Sequence, residues 1–111
     1  MEQPILIATT VADEEKATEI IKKLLDQRII ACAQTIAVSS SFPWMENVEI
    51  NQQEIKIIVK TFQKHQEQVV YIIKNNHSYK IPDIIVTKIE YVEEEYLKWM
   101  AGVLTKQENS E

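Results

Sequence analysis

Apolar positions change their spacing several times along the chain, and each change predicts an element. Pro4 to Thr10 (PILIATT) is a short apolar run suited to a buried central strand. Asp13 then offers a helix N-cap, Glu14 and Glu15 fall in the first turn, and Ala17, Ile20, Ile21, Leu24 and Leu25 recur at helical spacing. From Ile30 to Phe42 the period becomes two: Cys32, Gln34, Ile36 and Val38 alternate with Ala31, Ala33, Thr35 and Ala37. After Pro43 to Asn47 a second strand runs from Val48 to Thr61, with Ile55, Ile57 and Val59 opposed to Lys56, Ile58 and Lys60. The two strands predict a long antiparallel hairpin around PWMEN. Phe62 to Asn76 reads as a weaker helix centred on Val69, Val70 and Ile73, and Ile84 to Glu90 as a fourth strand. Glu93 to Thr105 is a final helix, carrying apolar Tyr96, Leu97, Trp99, Met100, Val103 and Leu104. Tyr96 and Trp99 are expected in its core, with Glu93, Glu94 and Glu95 complementing the helix dipole.

The resulting order, β-α-β-β-α-β-α, predicts an α+β fold. Its first six elements form a ferredoxin-like split β-α-β sandwich, with two helices on one face of four antiparallel strands. Seventeen Ile and nine Val against five Leu support a large sheet, because branching at Cβ favours strands. The hairpin is too long for a compact chain. A dozen strand residues reach about 40 Å, while a domain of about 100 residues has a diameter nearer 35 Å. It is therefore expected to protrude, with edges that other copies of the chain would cover.

Length and charge narrow the function. The 111 residues suffice for one domain, with an ordered core over about 4–105 and a polar tail KQENSE at 106–111. A net charge of −5 with a single arginine, Arg28, argues against a nucleic-acid surface, which wants clustered basic residues. No apolar run is long enough to span a membrane, and MEQPILIATT does not resemble a signal peptide. With one cysteine, Cys32, no internal disulfide is available, so a cytoplasmic setting is expected. The only glycine, Gly102, leaves no Gly-rich phosphate loop and no obvious oxyanion loop. Ser39, Ser40 and Ser41 have no histidine at a telling offset, and Cys32 has no visibly electropositive setting. The chain is expected to be a non-enzyme.

Soft transition-metal donors are few: Cys32, His65 and His77, without CxxC, HxxxH or paired cysteines. A closed zinc site within one chain is thus not expected. Cys32 reads most simply as a buried inert thiol and His65 as a surface or half-buried helix residue, while His77 reads equally as a ring serving the end of a helix. Trp44, at the hairpin tip, cannot reach its own core and is expected to pack on another copy.

In order along the chain stand ATTVADEEKATEI, ACAQTI, Trp44 followed by acidic residues, IIVKT (Ile57 to Thr61), HSYKIPDII (His77 to Ile85) and YLKWM. Across about residues 4–104 this series resembles the CutA family, small proteins named for divalent cation tolerance. The resemblance implies a homotrimer joined by long hairpins, with binding residues in clefts between subunits and an architecture similar to the PII signalling proteins. The family's His-Pro-Tyr-Glu reads His77-Ser78-Tyr79-Lys80 here, its acidic residue after the proline is Asp83, and Tyr91-Val92-Glu93 replaces a glycine turn. The stretch from Cys32 to Trp44 is one residue short and lacks Pro-Gly, so a bulge is expected to be missing or moved.

From resemblance and ligand chemistry together, the expected function is binding of a divalent cation, copper above others, in metal tolerance. His77 and Cys32 are the expected ligands, helped by Asp83 or Glu90, with Trp44, Ile36 and Val38 at the trimer interface. Two rivals stand beside it. In one, a cleft holding Lys60, Tyr79, Asp83 and Trp44 binds an anionic small molecule and the trimer signals. In the other, the trimer anchors a partner protein.

Overall fold

A computed structural model describes residues 2–105 of the chain; the predicted polar tail lies outside the described residues. The elements are β1 (Pro4–Val11), α1 (Glu14–Asp26), β2 (Cys32–Trp44), β3 (Asn47–Phe62), α2 (Gln66–Asn76), β4 (Ile84–Lys88) and α3 (Glu94–Thr105). The four strands form one antiparallel sheet in the order β2-β3-β1-β4, the split β-α-β arrangement. The Asp13 side chain accepts from the Lys16 N–H at 2.9 Å and caps α1, as its position before the apolar stripe predicts.

Strand parity decides which side chains meet the helices. Ile5, Ile7, Thr9 and Val11 of β1 and Ile57, Val59 and Thr61 of β3 are buried on one face, against Ala17, Ile20 and Leu24 of α1 and Val69 and Ile73 of α2. The opposite face carries Leu6, Ala8, Ile36, Ile58 and Ile85, and no helix covers most of it. Only its lower end is capped, where Phe62, Met100 and Leu104 form a second cluster between β3 and α3.

Some elements differ from the sequence expectation. Ile30 and Ala31 are not strand residues; Ile30 is buried beside Ile29 in the α1–β2 connection, and β2 starts at Cys32. Pro43 lies inside β2 opposite Val48, which costs little on an edge strand, and the turn shrinks to Met45-Glu46. The second helix opens with a 3₁₀ turn over Gln63–His65, because Phe62 stays extended to finish β3. Val70 is half-buried rather than central, and β4 stops at Lys88. Tyr96 and Trp99 are not core residues: Trp99 is 48% exposed, while Leu97, Met100 and Leu104 take the inward stripe. One residue off that stripe is a rotation of about 100°, enough to turn both rings to the flank of α3. Glu93 does cap this helix, accepting from the N–H groups of Glu95 and Tyr96 at 3.0 and 3.1 Å.

The hairpin stretches the molecule to 50 × 30 × 21 Å. Its bulge is present but lies on β3, between the pairs Ser40–Gln52 and Phe42–Glu49. Asn51 takes a left-handed backbone there (φ 55°), a conformation asparagine tolerates, and its N–H donates to Ser41 Oγ at 2.9 Å.

Candidate functional site

The α2–β4 segment, residues 77–83, holds most of the chemistry the sequence singles out. Asn75 and Asn76 turn their side-chain amides back to the carbonyls of Tyr71 and Ile72, both at 2.8 Å, and close the end of α2. His77 follows in extended backbone and points its ring at the sheet. The Tyr79 N–H donates to His77 Nδ1 at 3.1 Å, so the ring proton sits on Nε2, which donates to Thr9 Oγ1 at 3.1 Å. The ring of Tyr79 lies 5.0 Å from that of His77, and its hydroxyl donates to Glu54 Oε2. Asp83 accepts from Thr10 twice, from the backbone N–H and from the hydroxyl, both at 2.9 Å.

These surroundings shift two groups. Burial holds His77 below its ordinary value of 6.5 and Lys16 adds to this, against the opposing pull of the Thr10 backbone, Asp83 and Glu54. Burial and then the hydrogen bond to Glu54 push Tyr79 up to about 12, so it stays a donor at any physiological pH. Folded His77 binds a proton less readily than unfolded histidine. Its contribution to stability is therefore complete above pH 6.5 and is lost as pH falls from 6.5 toward the lowered folded value. The urea midpoint is expected to drop between about pH 7.5 and about pH 5, and His77→Gln to flatten that drop. Parallel profiles for the two proteins would exclude His77 as its source.

One chain does not bring the four expected metal ligands together. Cys32 stands opposite Lys60, which itself pairs with Leu6, and both face the side of the sheet without α1 and α2. His77 reaches the other face, at Thr9. Glu90 follows Ile89, whose N–H donates to the Pro4 carbonyl, so it lies at the far end of β1 from Asp83, roughly 20 Å along the strand. Both nitrogens of His77 and both oxygens of Asp83 are already engaged. Among the described residues no three His, Cys, Asp or Glu side chains gather to hold an ion. The described residues of a single chain therefore do not fit a divalent cation.

The anion cleft is also divided. Lys60 lies six residues from Glu54 along β3, roughly 20 Å from the end where Tyr79 sits. Its ammonium points instead at Tyr96, 5.2 Å from the ring centre and 3.4 Å from the hydroxyl, and Tyr96 stacks against Trp99 at 5.4 Å. Trp44, 51% exposed, is at the hairpin tip beside Asn47, remote from both. Ile36 and Val38 lie on the face that α1 and α2 leave open, Ile36 half exposed. Sequence reading missed Thr9, Thr10 and Glu54 as partners of the segment. The one available signal was a pair of threonines ending an otherwise aliphatic strand.

Known proteins share both sequence and shape with this chain. It is 36% identical over 96 residues to the divalent-cation tolerance protein CutA of Pyrococcus horikoshii, covering 86% of this chain and 93% of that one. Identity to the Thermotoga maritima protein of the same name is 33% over 96 residues, covering 86% and 94%. The structure of the periplasmic divalent cation tolerance protein CutA from Archaeoglobus fulgidus superposes with a TM-score of 0.86 at 31% identity, over 91% of this chain and 98% of that one. Residues 5–103 match the family described as CutA1 divalent ion tolerance protein, and to that family this chain belongs.

Proposed function

We propose that the protein serves divalent-cation tolerance as a homotrimer that binds copper where its subunits meet. The observation that carries this reading is the position of Cys32. The one soft thiol of the chain lies on the sheet face that α1 and α2 leave open, beside the apolar surface formed by Ile36, Ile58 and Leu6. Copies packed on that face would bring several Cys32 side chains and their neighbours close together, and copper favours such donors. His77 and Asp83 are secondary candidates, since a cation taking either would have to displace Thr9, Tyr79 or Thr10. The separation of Cys32 from His77 supports a binding protein rather than an enzyme, for it leaves the thiol without that base. We place it in the cytoplasm, where a lone thiol stays reduced.

Calorimetric titration of the reduced, metal-free protein with Cu(I) under anaerobic conditions, beside Cu(II), which clustered thiols would reduce, tests the proposal. Saturable uptake at a fixed ratio per trimer is expected for the native protein, absent in Cys32→Ala and retained in His77→Ala. Loss in His77→Ala alone would move the site to the 77–83 segment. Weak uptake that ignores both substitutions would mean surface adsorption and end the copper reading.

A further inference from the structure

The hairpin has a root, and the root is tied. The last β1–β3 pair is Val11 with Ile55, so from Glu54 onward β3 loses the support of β1. Residues 38–54 then continue as a ribbon of two strands paired to each other. A two-stranded ribbon twists strongly and holds its direction poorly by itself. Among the described residues, one side-chain hydrogen bond reaches this ribbon from outside, from Tyr79 Oη to Glu54 Oε2. It lands on the first residue past the support.

Tyr79 is itself anchored at both ends of its segment. On one side its N–H is held by His77, whose Nε2–H is fixed on the buried Thr9. On the other, Asp83 grips Thr10 through two hydrogen bonds. Thr9 and Thr10 belong to the end of β1, the strand that β3 has just left. We infer that residues 77–83 are a strap that sets the direction of the hairpin by tying its root, through Tyr79 and Glu54, to the end of β1. The strap needs no metal and stands apart from the copper reading.

Amide hydrogen exchange on the intact assembly tests it, comparing the native protein with Tyr79→Phe, Glu54→Ala and the double variant. Amides of residues 38–54 are expected to exchange roughly threefold to tenfold faster in each single variant. The double variant is expected to go no further, because both substitutions cut one link, and the β1–β3 ladder is expected to keep its native rates. Asp83→Ala, which leaves Tyr79 and Glu54 in place but releases the anchor on Thr10, is expected to speed the same ribbon amides. An unchanged ribbon in Tyr79→Phe overturns the strap, as does a rise spread evenly over the chain. A rise confined to residues 77–83 in Asp83→Ala overturns it as well.

Discussion

A glutamate in place of Ile36 is expected to convert the proposed trimer into folded monomers. Ile36 sits near the middle of edge strand β2, on the open face, and half of it meets solvent in the single chain. Its cross-strand partner is Lys56. In an isolated chain a glutamate there faces water and the lysine, a favourable pair on a sheet surface. In an assembly that closes over this face, three such carboxylates would lose their water without guaranteed partners, at a cost of several kcal/mol each. Sedimentation velocity should therefore show a single slow species whose far-UV spectrum matches the native fold. Ile36→Glu that still sediments as a trimer would place the subunit contacts elsewhere. The edge itself adds to the expectation, since the thirteen residues of β2 contain no charge to discourage pairing.

Features set by local chemistry were legible in the sequence. The Asp13 cap, the stripe of α1, the alternation of β3 and the hairpin all follow from residues within a few positions of one another. Features set by distant partners were not. Alternation correctly put Cys32 and Ile36 on one face of β2. That His77 would reach the other face depends on the strand order, which brings Thr9 to a residue 68 positions away. Grouping Lys60 with Tyr79 and Asp83 followed from a lysine at a strand end near a carboxylate and from the likeness to PII proteins; β3 is long enough to keep them at two ends of the sheet. The last helix shows the limit of periodicity most simply. Six apolar residues allow more than one centre for the buried stripe, and only the position of Phe62 selects Leu97, Met100 and Leu104 over Tyr96 and Trp99. The missing Pro-Gly of β2 likewise hid where the bulge went, because Asn51 on the facing strand supplies the left-handed residue.

Thr61→Val is expected to destabilise the fold by about 2 kcal/mol, although it exchanges one β-branched side chain for another of nearly equal shape. Thr61 is fully buried, and its hydroxyl donates to the Ile29 carbonyl at 2.6 Å. Ile29 is itself buried, so the valine leaves a carbonyl with neither a protein donor nor easy access to water. The same short connection is stitched once more, by the Ala31 N–H to the Lys60 carbonyl at 2.8 Å. Together the two bonds hold the path from α1 into β2 and thereby fix where Cys32 enters the sheet opposite Lys60. The damage should therefore reach beyond stability. A urea midpoint clearly below the native one is expected, with Cys32 reacting faster toward a thiol reagent under native conditions, as the start of β2 loosens. Native stability in Thr61→Val would mean that the carbonyl finds another donor, and the placement of Cys32 would then rest on the Ala31–Lys60 bond and the β2–β3 ladder alone.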